Sequence, residues 1–510
     1  MHNPEANHQL SQDETLKKFE TENLTRLDDE RAEDRQLLSH EEEKKLLRRV
    51  DLRLMVLCAV IFMIKNVDAN NAANARIMNK GTPRNILTQL EMTGDEYNFV
   101  NTIYFIPFIV FEIPSNLIVK KMLPSRFQSR IMVTWGIALA CHAAVTTKGG
   151  LYTARFFLGL CEAGMFPGIV LQMTYWYRAD EMTWRFLIFY SFEFFANVVS
   201  ALLAFGFDHM NGMKGLSGWQ WFFLLEGVFT VAFGILIWFI LPDFPDQAKW
   251  LTEKEKAFLK ARLPANAPRS DEVNFNWKEI VETLKDQRLW LFTLMWATKT
   301  VGSSGLSFYL PEIVSTLKLT SIAQSQLLTI PSSVLPILLI AGQTFLTWKR
   351  NVPYPIIPFV YMSITLICYA VLYTYPNVGG VYAATVIAAS VSLAWFSSAW
   401  PWRLQTTSKA TGSAFAIAFS NSLGQIGSVV GPQIFRVKYA PRYSTSFGIA
   451  MGFTVICLVT IAYTWWVTRE TERQTRYIQK QRIAAARNGG FITQDVDINA
   501  DFRNRKDGAA

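Results

Sequence analysis

The sequence predicts an all-α integral membrane protein with twelve transmembrane helices arranged as two six-helix halves. Three observations predict it. Half of the 510 residues are hydrophobic and only 18% are charged, about a quarter below the usual charged share of a soluble domain. The charge is also unevenly placed, dense in the first ~50 and last ~40 residues and sparse in the long apolar runs between them. Finally, twelve helices of about 20–22 residues, each enough to cross ~30 Å of hydrocarbon, use about half the chain. A single soluble domain, a disordered chain and a disulfide-stapled secreted protein are excluded.

The elements follow in order. Residues 1–50 form a charged tail expected to be cytoplasmic, without the apolar core of a cleavable signal, so the first span is expected to act as its own insertion signal. Ser39 and Glu42 have capping-box spacing, which predicts a helix starting near Glu41 and running into the membrane. The N-terminal half, 51–241, carries spans at 52–75, 97–119, 131–146, 151–177, 186–207 and 219–241. A cytoplasmic central loop, 242–288, holds a second capping box at Thr252 and Glu255, and Trp277, Ile280, Val281 and Leu284 recur at helical spacing. Two short surface helices are expected there. The C-terminal half, 289–468, carries spans at 289–310, 326–348, 355–375, 381–402, 412–435 and 447–467, and 469–510 forms a second cytoplasmic tail.

The net charge of +9 and pI of about 9.2 do not indicate nucleic acid, because no basic stripe interleaved with aromatic residues is present. Lys120, Lys121, Arg126 and Arg130, then Arg178 and Arg185, then Lys349 and Arg350 join the central loop on one side of the bilayer. This positive-inside bias puts both termini in the cytoplasm, against the trend of Arg436, Lys438 and Arg442 on the other side. Cys58, Cys141, Cys161, Cys368 and Cys457 lie in apolar runs without metal-ligand spacing and read as packing residues. A faint repeat relates residues 151–155 to 381–385 and sets Arg155 of the first half against Thr385 of the second. Two such halves are the architecture of alternating-access carriers, with substrate held at the midplane between them.

Ionisable side chains inside a span cost several kcal/mol on insertion and are functional candidates. In span one, Lys65 and Asp68 lie one helical turn apart, ~20–24 Å into the helix, and read either as a mutually neutralised pair or as site residues. In span four, Arg155 and Glu162 are seven residues apart on one helical face, with Gly159 and Gly164 nearby to admit a neighbouring helix. Arg155 stays charged and needs an acidic partner or an anionic ligand. Glu162 is suited to load and release a proton, since burial and a neighbouring cation move its pKa in opposite directions.

Lys299 sits alone near the middle of span seven and is expected to contact substrate or to pair with a carboxylate of the other half. Glu193, central in span five, is a further proton-coupling candidate, whereas Glu112 and Glu226 read as packing residues and His142 as a satisfied core histidine. Asn421 and Gln425, four residues apart in span eleven, offer hydrogen bonds to a carboxylate or bind helices together. The set is therefore Arg155, Lys299, Lys65, Asn421 and Gln425 for substrate, and Asp68, Glu162 and Glu193 for protons. Catalysis is not expected: no nucleotide-binding glycine loop, nucleophile elbow or metal-ligand cluster is present.

The run from Arg155 through Gly159, Glu162 and Gly164 to Pro167-Gly168 resembles the fourth-helix motif of the major facilitator superfamily. Further stretches at Phe111–Asn116, Trp176–Arg185, Gly218–Gly227, Leu241–Pro245 and Ala440–Tyr443 are similar to the fungal anion:cation symporter branch, the allantoate permease family. The resemblance covers roughly residues 51–470 and implies a proton-coupled carrier of small organic anions, commonly carboxylates. It also implies a plasma-membrane location, a monomer in the lipid bilayer, and no cofactor beyond the proton gradient.

Two departures stand out. The family's Asp-Arg-x-Asn pattern in helix one reads Asp68-Ala69-Asn70-Asn71 here, leaving Lys65 to supply the missing cation. In the loop after span two, Asn116 and Lys120 occupy the superfamily's Gly and Asp positions. A drug:proton antiporter is disfavoured, because its span-five Gly-Pro motif is replaced by 198–206 without proline. The similar Gly427–Pro432 run lies in span eleven and is expected to permit close packing. Uptake of an anion by proton symport is the leading expectation; export of an acidic metabolite and nutrient sensing are the alternatives.

Overall fold

The computed structural model describes residues 33–119, 122–178, 181–263, 277–317, 327–349, 352–407, 410–435, 439 and 442–488. Ser39 caps α1 (His40–Val50) through a reciprocal capping box, its own amide donating to Glu42 Oε2 at 2.9 Å. One π-helical turn, Asp51–Met55, carries the chain into α2 (Val56–Ile77), the first span. The first half continues with α3 (Gly94–Val119), α4 (Pro124–Cys141), α5 (Lys148–Glu162) and α6 (Met165–Thr174), α7 (Met182–Asp208) and α8 (Gly218–Ile240). Two loop helices follow, α9 (Glu253–Arg262), which Thr252 caps through the second capping box, and α10 (Trp277–Lys285). The second half comprises α11 (Gln287–Thr316), α12 (Pro331–Lys349), α13 (Ile356–Thr374), α14 (Val378–Leu404), α15 (Ala410–Gly424) with α16 (Ile426–Ile434), and α17 (Ser444–Arg487).

With α5–α6 and α15–α16 each counted as one span, this gives six spans in each half. Eight helices are long and apolar enough to cross a membrane on hydropathy alone, and Pro331–Thr347 is a shorter apolar one. The others are diluted by polar groups that face inward, as in α2, where Asn66, Asp68, Asn71 and Asn74 are all buried. Outward-facing apolar side chains such as Phe239 (77% exposed), Val459 (66%) and Ile367 (65%) lie on spans from both halves. An apolar exterior of this extent fits lipid rather than water. Span three begins earlier than its hydropathy suggests, at Pro124, because proline at the first helical position starts the helix while Arg126 and Arg130 are still outside the apolar run.

Within the first half, α2 packs on α7, α3 on α5 and α4 on α8; within the second, α11 packs on α16 and α17, and α13 on α14 and α17. The halves meet chiefly where α3 lies along α15 and α16, and where α7 lies along α12 and α14. The loop helices serve different halves. Glu279 of α10 accepts the amides of Thr411 and Gly412 at 3.1 Å each, neutralising the N-terminal end of α15. Helix α9 binds the first half through Arg262, as described below. Gly427 behaves as expected for close packing, since a Cβ there would lie 2.1 Å from the Val301 amide of α11.

Span four departs from the sequence expectation. It breaks at Gly164, whose φ of +93° no side-chain-bearing residue adopts easily. A Cβ at Gly159 would sit 2.0 Å from the Tyr104 carbonyl oxygen, so α3 approaches α5 at backbone contact there. Arg155 and Glu162 both lie on α5, ahead of this break, and Glu162 is the last helical residue before it. Span eleven is also broken, at Gln425, whose side-chain oxygen accepts from Ser428 Oγ at 2.9 Å.

Candidate substrate and proton site

The interior charges form two linked groups in the first half and an isolated cation in the second. Lys65 of α2 does not pair with Asp68. Its Nζ lies 3.4 Å from Glu162 Oε1, and Glu162 Oε2 accepts from the Tyr104 hydroxyl at 2.6 Å. Glu162 is buried, while the Lys65 side chain keeps 17% exposure, so the pair sits at the edge of the packed interior.

Asp68 turns away from Lys65 towards spans three and six, accepting from Trp135 Nε1 at 2.9 Å and Thr230 Oγ1 at 3.0 Å. One turn on, Asn71 bridges two charges. It accepts from Arg155 Nη2 at 3.2 Å and donates to Glu226 Oε2 at 3.2 Å. The Arg155 guanidinium also lies over the Phe223 ring at 5.1 Å and is buried inside the first half. Arg155 and Glu162, expected on one face, thus belong to different clusters. Glu226, read from sequence as a packing residue, belongs to the Arg155 cluster.

Glu112 was likewise read as packing. The structure buries it completely and has Asn421 of α15 donate to it, a hydrogen bond that joins the halves. Ser422 Oγ donates to the Ile109 carbonyl at 2.6 Å and Asn116 Nδ2 to the Ala414 carbonyl at 2.8 Å along the same seam. Asn116 therefore serves as an inter-half contact. Lys120, the other residue of the altered loop motif, lies outside the described residues. Gln425 stays within its own helix break, and His142 packs on Phe223 at 5.1 Å, its Nδ1 2.8 Å from the Ala138 carbonyl oxygen.

Lys299 of α11 is buried and makes no ion pair among the described residues. Its Nζ lies 3.7 Å from the Phe396 ring centroid and 5.7 Å from that of Trp395. Glu193 of α7, half-buried and without a hydrogen bond among the described residues, lies within the electrostatic reach of both Lys65 and Lys299. It faces them from between the halves.

Side-chain contacts join the halves towards both ends of the bundle. On the side away from the termini, Arg76 Nε lies 2.8 Å and Lys80 Nζ 3.6 Å from the Glu312 carboxylate, tying α2 to α11. On the side carrying the termini, Phe166 meets Trp400 at 5.3 Å and stands beside Phe62 at 5.6 Å.

A charge cluster underlies that second closure. Glu181 accepts charge from Arg178 at 2.8 Å, from Arg185 at 3.8 Å and from Arg262 of α9, while Arg185 reaches Asp51 at 2.9 Å. Burial pushes the Glu181 carboxyl up, but Arg178, Arg262 and Arg185 together hold it down at about 2. Its folded pKa is thus below the unfolded one, so its stabilisation is complete above about pH 4.5 and is lost as pH falls towards 2. The cluster is expected to hold unchanged from pH 7.5 to 5. Glu181→Gln should remove on the order of 3 kcal/mol at neutral pH and flatten the acid dependence of thermal unfolding in micelles. An unfolding midpoint equal to that of the unmodified protein at pH 7 would contradict this role.

Two six-helix halves, polar and charged inside and apolar outside, with two spans broken beside the central charges, define a multi-pass membrane carrier. Residues 72–432 match the Major Facilitator Superfamily, and the chain belongs to that family. It is a transporter rather than an enzyme.

Among relatives, MFS transporter prlL of Fungal sp. (strain NRRL 50135) is 32% identical over 58% of this chain and 59% of its own length. Major facilitator-type transporter hxnP of Emericella nidulans is 26% identical over 91% of this chain and 93% of its own. A protein of Agrobacterium vitis named for tartrate transport is 27% identical over 84% of this chain and 96% of its own. In fold, a bacterial homologue of the human lysosomal transporter Spinster, solved inward-facing and unoccupied, superposes with a TM-score of 0.58 at 14% identity, covering 83% of this chain and 97% of its own.

Proposed function

We propose that the protein takes up a small organic anion, a carboxylate, by proton symport, in the manner of the allantoate permease branch that its motifs resemble. The plasma membrane, with both termini cytoplasmic, is the location this reading gives it. The observation that carries the proposal is the imbalance of central charges. Among the described residues, the carboxyls Asp68, Glu112, Glu162, Glu193 and Glu226 outnumber the central cations Lys65, Arg155 and Lys299. A buried charge without a partner is expensive, so carboxyls in excess of cations hold protons when the bundle is closed. Among the described residues no carboxylate is bound to Lys299, which leaves its charge for an anionic ligand.

The proposed cycle uses the Lys65–Glu162 pair as the exchange point. Protonation of Glu162 frees Lys65, and the anion's charge replaces that of the carboxylate between Lys65 and Lys299. With both charges satisfied, the halves rock about the site, because occupancy removes the unpaired buried charge that otherwise holds one state. Arg155 acts through Asn71, keeping α2 aligned with α5 and α8. Asp68 and Glu193 are the further proton-carrying candidates.

The name of the Agrobacterium vitis relative supports a carboxylate, although export of an acidic metabolite uses the same scaffold. Uptake of radiolabelled carboxylates by expressing cells, at pH 5 and 7.5 with and without a protonophore, tests the reading. One anion should accumulate more at pH 5 and lose that accumulation with the protonophore. A fall in cell content of an acidic metabolite, without uptake of any anion tested, would overturn it in favour of export.

A further inference from the structure

Around Lys299 the second half builds an aromatic cage. Trp296 crosses Trp395 edge-on at 4.9 Å and Trp400 at 5.0 Å, and Trp395 crosses Phe396 at 5.3 Å. Lys299 Nζ caps the Phe396 ring at 3.7 Å. Trp296 and Trp395 are fully buried, yet neither indole N–H has an acceptor among the described residues. A buried donor without an acceptor costs roughly 1–3 kcal/mol, so two in one cage together with a cation need a reason. Phe396 is only half-buried.

The chemistry of the cage is one-sided. Lys299 and the two indoles offer N–H donors but no lone pair, and the walls are π-faces. A sugar needs acceptors for its hydroxyls, and a cation is repelled by Lys299. A flexible dicarboxylate has no ring to lay against the aromatic walls. What fits is a single carboxylate, able to accept from the ammonium and an indole N–H, joined to a flat ring that lies against the aromatic walls.

Resting on the symport reading above, we infer that Lys299, Trp296, Trp395 and Phe396 form the subsite for an aromatic monocarboxylate, the ammonium and indole N–H groups binding its carboxylate and the rings its aromatic plane.

The test is binding of benzoate, cyclohexanecarboxylate, benzyl alcohol and tartrate to the full-length protein in lipid nanodiscs, followed by tryptophan fluorescence. Benzoate is expected to bind about three- to tenfold tighter than cyclohexanecarboxylate, the worth of ring stacking beyond area. Benzyl alcohol and tartrate should bind far more weakly. Lys299→Gln should weaken benzoate about 10- to 100-fold, the worth of a hydrogen bond to a charged donor. Trp395→Phe keeps the ring, removes only the N–H, and should cost about five- to tenfold.

Equal binding of benzoate and cyclohexanecarboxylate would overturn the inference, as would benzoate affinity untouched by Lys299→Gln and Trp395→Phe in monodisperse protein. Proton-driven uptake of tartrate that benzoate does not inhibit would overturn the subsite and leave the symport reading standing. Benzoate binding with the expected losses, but no proton-coupled uptake of any of these anions, would uphold the subsite and remove the symport reading.

Discussion

Glu162→Gln is expected to abolish proton-driven accumulation of the substrate while exchange of labelled for unlabelled anion continues. Glutamine has the shape of the protonated carboxyl and still accepts from the Tyr104 hydroxyl, which lies 2.6 Å from the native side chain. It cannot, however, neutralise Lys65, whose Nζ is 3.4 Å from Glu162. The variant is therefore locked in the anion-accepting form, bound but uncoupled. One coupled proton sustains about a tenfold accumulation per unit of pH gradient. In the variant that ratio should fall to about one, with apparent affinity for the anion equal or higher. Reconstituted vesicles loaded with unlabelled anion measure exchange, and empty vesicles with an imposed pH gradient measure accumulation. Accumulation at the level of the unmodified protein would exclude Glu162 as the coupling group.

The second large effect is expected at the closure away from the termini. Arg76 holds Glu312 at 2.8 Å, donates to Asn98 Oδ1 at 2.9 Å and lies 4.8 Å from the Tyr309 ring. This contact joins the first span to the seventh and must open whenever the site opens to that side. Removing one partner of a buried pair costs about 3–5 kcal/mol, and less where one side chain is partly exposed, as Glu312 is at 19%. A loss of about 2 kcal/mol shifts the balance of states roughly thirtyfold towards opening on that side.

Thr102 lies under this closure, donating to the Val429 carbonyl at 3.3 Å, so a Thr102→Cys reporter in a background lacking the five native cysteines reads it. Labelling by an impermeant maleimide from that side should quicken by at least tenfold in Arg76→Gln and in Glu312→Gln. It should return towards the parent rate when the pair is exchanged as Arg76→Glu with Glu312→Arg. Equal labelling rates in all four proteins would mean that the pair is not a gate.

Much of this architecture was legible in the sequence because it rests on local physics. Span lengths, the capping boxes at Ser39 and Thr252, and the loop helix bearing Ile280 follow from periodicity and capping chemistry that neighbouring residues supply. Intramembrane charge also singled out Lys65, Asp68, Arg155, Glu162, Glu193 and Lys299, since insertion cost depends on the residue and its depth.

The pairing among them was not legible. Lys65 and Asp68 share a turn, yet Trp135 and Thr230, 67 and 162 residues away along the chain, draw Asp68 elsewhere. Arg155 and Glu162 do share α5, but Asn71 and Lys65 draw them into different contacts, and only the backbone at Gly164 shows that the helix ends at Glu162. Glu112, towards the end of its span, and Glu226, beside Gly227, read as packing residues from sequence. Their partners Asn421 and Asn71 stood in the sequence, but the pairing needs helices to be placed. The cage at Lys299 joins Trp296 to Trp395 and Trp400 across two spans, and no periodicity could connect them.

The central claim is that proton and anion move together into the cell, and it is tested by a pH-sensitive dye trapped inside vesicles carrying the purified protein. With the anion added outside and the membrane potential clamped, the account predicts acidification of the interior that depends on the anion and disappears in Glu162→Gln. Alkalinisation on adding the anion would mean exchange of anion for proton, and an unchanged dye signal during measured anion entry would mean transport without coupling. Either result would contradict the account.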